Sequence, residues 1–237
     1  MAMTPMSSST LASVPAATTP APIRLYSYFR SSAAFRVRIA LALKALAYET
    51  VPVHLPRNEQ HSERFALLNP SKTVPLLEMD GLRLTQSMAI IEYLDEVHPQ
   101  PALLPADAPG RAAVRSLAQL VACDIHPLNN LRVLKYLVHS MAVGEVTKNA
   151  WYLHWCRTGL EAFEQQLAMQ KTSGASVFCY GDTPTLADCC LIPQIFNAQR
   201  FAVPLNGLPR TMAVFAACMD LPAFQQAQPS ACVDFEA

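Results

Sequence analysis

The chain has 237 residues, is 51% hydrophobic and 15% charged, and balances 18 basic against 18 acidic side chains. That is enough for one large or two modest domains with a substantial core. A neutral chain offers no basic face for a nucleic-acid or anionic-membrane partner, so any charge-based function must be local. No run reaches the ~18 apolar residues of a membrane span.

Residues 1–22 are rich in Ala, Ser, Thr and Pro and carry no charged side chain. They lack the basic start and solid apolar stretch of a secretory signal, so they read as a disordered tail. IRLYSY (23–28) predicts a short strand, and residues 32–46 a helix apolar nearly all round, hence buried. YETVPVHL (48–55) predicts a second strand, and residues 58–68 a polar helix ending at an Asn-Pro step. VPLLEMDGLRL (74–84) reads as two strands turning at Asp80-Gly81. A helix over Gln86–Val97 follows, stopped by His98-Pro99. The order βαβ, α, ββα suggests one mixed sheet covered by helices.

The linker HPQPALLPADAPG (98–110) holds four prolines, and beyond it no strand signal remains. Helical patterns run over about 111–140, 146–170, 186–200 and 208–218. Pro127 should kink or open the first of these near Asn130. Thr185-Leu-Ala-Asp188 is a capping box, a structural motif whose loss should cost about 1 kcal/mol or more. Seven cysteines, without a C-x-x-C pair, read as reduced core thiols of a cytosolic protein; no metal site is expected.

Two helix starts could carry chemistry. RSSAAF (30–35) places Ser31 and Ser32 at the head of the first helix, after Arg30, with no acid in the first turn. Helix amides there are unpaired and the dipole is positive, so the start suits an external anion such as a thiolate. Ordinary serine capping beside an unrelated arginine accounts for the same residues. Gln86 and Ser87 open another apolar helix and could hold a carboxylate, although Ser as a plain cap is the simpler reading. Between them stands Val74-Pro75, whose isomer the sequence leaves open.

Together these pieces resemble the zeta-class glutathione transferases. The likeness rests on YFRSSxxxRVRIALxLK (28–44), LNPxxxVPxL (68–77), QSxAIIEYL (86–94) and GDxxTxADCxLxPQ (181–194), and spans residues 23–228. It implies an α/β plus all-α fold: a thioredoxin-like glutathione-binding domain (23–104) followed by a helical-bundle substrate domain (105–237). It implies glutathione as cofactor. Ser31 and Ser32 would face the sulfur, Val74 would pair with the cysteinyl unit across a cis Val74–Pro75 bond, and Gln86 and Ser87 would hold the γ-glutamyl end.

The resemblance further implies a cytoplasmic homodimer that isomerises a small dianionic unsaturated keto acid. Maleylpyruvate is the first reading and maleylacetoacetate the alternative. Glutathione thiolate would add to the cis double bond, the resulting single bond would rotate, and the thiolate would leave. Arg30, Arg132 and Arg200 would bind the carboxylates, in the manner that guanidinium forks suit, with Ser31 stabilising the sulfur. His126 and Asn130 match further pocket positions. The chain departs from the family in three places: Ala33 stands for the usual Cys, Phe35 for Trp, and Leu131 for an arginine. A general transferase of electrophiles, or a glutathione-binding protein without chemistry, would share most of these residues.

Overall fold

The computed structural model describes residues 22–170 and 176–236; the expected tail, save residue 22, lies outside them. The first half is a four-stranded sheet in the order β2-β1-β3-β4. β1 (Arg24–Ser27) pairs parallel with β2 (Glu49–Pro52) through the crossover helix α1 (Ser32–Leu43). β3 (Leu76–Met79) runs antiparallel to β1 and to β4 (Leu82–Thr85). Asp80 and Gly81 both have positive φ, 52° and 78°, the twist a two-residue hairpin requires. The segment read as one helix over 58–68 is two pieces: a 3-10 turn at Glu59–His61 and α2 (Glu63–Leu68). Ser62 separates them by taking up an extended conformation and capping the Phe65 amide. α3 (Ser87–Val97) returns across the sheet.

α1 is enclosed by α3 and by two helices of the second half, α7 (Leu186–Arg200) and α9 (Pro222–Ala227), which explains its apolar circumference. α7 (Leu186–Arg200) is the most buried helix of the second half. Its start is the predicted capping box. Asp188 accepts the Thr185 amide at 2.7 Å, the Thr185 hydroxyl at 2.8 Å and the Cys179 amide at 2.8 Å. One continuous core joins Leu25 and Leu77 of the sheet to Leu191 and Ile195 of α7. A second cluster, with Tyr28, Phe29, Phe65 and Val74, fills the other face of the sheet.

The proline-rich linker is pinned. Lys44 Nζ donates to the Asp95 carboxylate and to the carbonyls of His98 and Pro101, while Asp95 also accepts the Leu103 amide. α4 (Ala108–Gln119) then opens into a wide π-type turn at Leu120–Ile125 and a 3-10 turn at His126–Asn129, before α5 (Leu131–His139). The single helix expected over 111–140 is therefore interrupted, not merely kinked. Pro127 brings no amide, and Asn130 is extended, its side chain capping the Arg132 amide at 3.1 Å. α6 (Glu145–Met169) accommodates the turn through Gly159, where a Cβ would collide with the Ile125 side chain.

α8 (Pro209–Met219) is followed by a short helix absent from the sequence reading, α9 (Pro222–Ala227), anchored by buried Phe224. The chain then turns back across the start of α1. Among the described residues no helix is long and apolar enough to cross a membrane.

Candidate active site

The start of α1 separates two recesses. Ser31 faces one and Ser32 the other. Ser31 is the N-cap: its Oγ accepts the Ala34 amide at 3.2 Å, so capping does occur, and its hydroxyl proton remains available for donation. The first helical hydrogen bond runs from the Phe35 amide to the Ser31 carbonyl, leaving the Ser32 and Ala33 amides ahead of the ladder. No acidic residue stands in that first turn.

On the Ser31 side lies an elongated groove between the sheet half and the α4–α5 turn. Its shared lining includes Ala33, Thr73, Val74, His126, Asn130 and Arg132. One end reaches Arg36, Gln86 and Ser87; the other reaches Gln60, Lys72 and Lys135. Val74 stands before β3, outside its ladder, and the Val74–Pro75 peptide is cis. Gln86 holds φ at 69°, a costly conformation for a residue with a Cβ, and its side chain caps nothing. α3 also lacks an acid in its first turn.

On the Ser32 side, Arg30 and Arg200 line one cavity with Phe29, Phe35, Phe196 and Asn197. Asn197 Nδ2 donates to Ser32 Oγ at 2.5 Å, tying α7 to the head of α1. Arg200 lies over the Phe201 ring at 4.6 Å and Arg30 over Phe29 at 4.9 Å. Burial lowers the Arg200 pKa, Tyr152 opposes this, and neighbouring Arg30 lowers it further. The returning C-terminal segment forms one wall. Asp234 accepts the Phe29 amide at 3.0 Å, Phe235 packs edge-on against Phe29, and the Glu236 carbonyl accepts from Arg30.

The arginines are therefore divided: Arg30 and Arg200 share a cavity, whereas Arg132 belongs to the groove beside it. Among the described residues the groove is lined by no aspartate or glutamate; beside the Arg30 and Arg200 cavity the acids are those of the returning segment, with Asp234 tied to the Phe29 amide and the Glu236 carboxylate to His54 and Arg57. Lys135, one helical turn after Leu131, adds a cation where Leu131 supplies none. His126 is kept neutral: burial, then Arg36 and Arg132, pull its pKa down to about 3. Its imidazole is a hydrogen-bonding group here, not an anion-binding charge.

The glutathione S-transferase N-terminal domain model matches residues 21–96. A maleylpyruvate isomerase from Ralstonia sp is 48% identical over 209 residues, covering 88% of this chain and 98% of its own. The holo structure of a maleylpyruvate isomerase described as a bacterial zeta-class glutathione S-transferase superposes with a TM-score of 0.87 at 47% identity, over 90% of this chain and 100% of that one. This chain belongs to the zeta-class glutathione transferase family. A maleylacetoacetate isomerase from Anaeromyxobacter dehalogenans, with glutathione in its active site, aligns at 44% identity and a TM-score of 0.80, over 91% of this chain and 98% of its own.

Several groups at this transferase's site were not singled out from sequence. Asn197 lies in α7, just beyond the GDxxTxADCxLxPQ stretch, and only tertiary packing reveals its bond to Ser32. Asp234 and Glu236 act more than 200 positions away from Phe29 and Arg30, and no local pattern marks them. Arg36 sits in the R-V-R of the first helix, where nothing distinguishes it from Arg38. Phe35 packs edge-on against Phe196 at 5.3 Å and under Arg38 at 5.0 Å.

Proposed function

We propose that this transferase is a glutathione-dependent cis–trans isomerase that converts maleylpyruvate to fumarylpyruvate. The observation that carries the reading is a pair of cation-lined recesses meeting at a helix start, that of α1, with no acid in its first turn. A small dianion is the substrate class that such a lining favours.

The groove fits glutathione, which carries two carboxylates, one amine and a thiol. Gln86, Ser87 and the α3 amides would take the amino-acid end, Val74 the middle, and Lys72 with Lys135 the far carboxylate. His126 and Asn130 would close the groove from the helical half. When bound, glutathione supplies a thiolate that can add reversibly to an electron-poor double bond. The chain favours that anion with the Ser31 hydroxyl proton, the amides of Ser32 and Ala33, and the positive end of α1. Ala33 offers no thiol, so the sulfur is not the protein's own.

Arg30 and Arg200 would clasp the two carboxylates of the substrate, with Arg132 reaching in from the groove. A carboxylate must swing when the double bond isomerises, so one anchor has to move with it. Arg30 is the candidate: it is exposed and, among the described residues, rests on the Phe29 ring and the Glu236 carbonyl. Arg200, over Phe201 and beside Tyr152, is the firmer one. Backbone amides at the α1 start and the arginines can both meet charge developing on the keto oxygen.

Maleylacetoacetate is the second reading, kept open by Leu131, which lines the groove without a charge. The two substrates differ by a single methylene, which a pocket discriminates by about 10–200-fold at most. An ultraviolet assay on both cis diacids, with and without glutathione, separates the readings. A larger kcat/KM for maleylpyruvate, with glutathione conserved, supports the first. Net consumption of glutathione with either would instead indicate a general transferase. The reading includes a homodimer, which sedimentation would test, and a reducing cytoplasmic setting, which the seven free thiols suit.

A further inference from the structure

α1 carries two arginines that are each 2% exposed, and they are used differently. Arg38 is fully employed: Nε donates to the Ala227 carbonyl at 2.9 Å, Nη1 to Ser27 Oγ and Nη2 to the Phe29 carbonyl, both at 3.1 Å. Arg36 makes one hydrogen bond, from Nη1 to Ser87 Oγ at 3.3 Å. Its Nε and Nη2 have no partner, and among the described residues no carboxylate pairs with it. Burial lowers the Arg36 pKa and the groups that oppose it are only the Cys190 and Cys123 thiols. A guanidinium does not shed its proton inside a protein, so the fold retains an uncompensated buried cation.

What lies in front of that cation is the start of α3. Ser87 accepts from Arg36, so its own hydroxyl proton is directed elsewhere, and Ser87, Gln86 and Arg36 line the same end of the groove. The first bond of α3 runs from the Ile90 amide to the Gln86 carbonyl, leaving three amides ahead of it. We propose that Arg36 is the buried counter-charge of a carboxylate subsite at the start of α3, acting through Ser87. Its free nitrogens lie out of reach of solvent, which makes it a positioning residue: the ligand meets the Ser87 hydroxyl and the α3 amides, and the charge behind them makes the subsite select an anion. This rests on the glutathione reading and assigns the carboxylate to the γ-glutamyl residue.

The test is calorimetric binding of glutathione, and of an analogue with that one carboxylate replaced by a carboxamide, to wild type and Arg36→Met. Wild type should prefer glutathione by about tenfold or more. In Arg36→Met the preference should shrink to about twofold or less, while the Tm of the free protein does not fall, because a buried unpaired charge has been removed. A merely structural role would weaken both ligands equally and leave their ratio intact; that result overturns the inference. Should Arg36→Met not fold, Ser87→Ala cuts the same relay and should lose the same preference; a retained preference again overturns it. Wild type that binds neither ligand refutes the glutathione reading itself.

Discussion

The starts of α1 and α7 carry the same kind of cap, a hydroxyl, and opposite electrostatics. At α7 the hydroxyl is Thr185 and the chain answers its own helix: Asp188 takes the cap amide, the cap hydroxyl and the Cys179 amide. Burial raises the Asp188 carboxyl while those hydrogen bonds oppose it, which marks a closed internal arrangement. At α1 the hydroxyl is Ser31, no acid follows in the first turn, and the recesses on either side are lined by Arg132, Lys72 and Lys135 and by Arg30 and Arg200. One start is complete without a ligand. The other makes electrostatic sense only with an anion from outside. A stability role and a binding role can thus be told apart at two helix starts that share a local motif type.

Substitutions at the two starts should therefore fall on different measurements. The largest effect belongs to Ser31→Ala. Removing a donor to a developing anion should lower kcat by about 100–1,000-fold, while lost capping costs only about 1 kcal/mol of stability. Steady-state kinetics beside a melting curve would read both. A small kinetic loss would erase the contrast.

Asp188→Ala should do the reverse. It strands two amides and a hydroxyl in a fully buried site, and should destabilise the fold by about 3 kcal/mol, leaving kcat/KM of the folded fraction close to wild type. Denaturant unfolding followed by activity of the refolded material would check it.

Arg200→Ala should raise KM for the diacid by about tenfold or more and leave glutathione binding nearly unchanged. Arg132→Ala sharpens the division between the recesses, because Arg132 lines the groove and not the cavity of Arg30 and Arg200; it should weaken glutathione as well as the diacid. Equal effects of the two variants on glutathione would deny that the arginines are divided.

The smallest effect concerns pH. Glu164 accepts the Arg210 and Thr211 amides and the Thr211 hydroxyl at the head of α8. Burial raises its carboxyl, but those bonds and Arg210 outweigh it, and the pKa is lowered. The stabilisation is thus present above the ordinary carboxylate pKa of about 4.3 and is lost as pH falls through the lower folded value. Glu164→Gln should be less stable than wild type by about 1–2 kcal/mol at neutral pH. The gap should narrow on acidification.

Much of the frame was legible in the sequence because it is locally encoded. Asp80-Gly81 marks the hairpin, the apolar circumference of 32–46 marks a buried helix, and Thr185-x-x-Asp188 marks a cap. Pro127 announced an irregularity near Asn130, although not its extent. The full interruption depends on Gly159 of another helix letting Ile125 come close. What stayed hidden is set by distant partners. Residues 36 and 38 look alike in R-V-R; only the packing of α3 and α9 leaves one unpaired and satisfies the other. The separation of Arg132 from Arg30 and Arg200 is likewise a product of how the two halves meet around α1. The C-terminal return over Phe29 had no local signal at all.

The ionisation of bound glutathione bears most directly on what the start of α1 is for. The ultraviolet absorption of its thiolate can be titrated in complex with wild type and with Ser31→Ala. The structure predicts a bound thiol with a pKa at least about one unit below the free value of about 8.5, and a partial return towards it in the variant. A bound thiol that titrates as it does in water, indifferent to Ser31, would contradict the account.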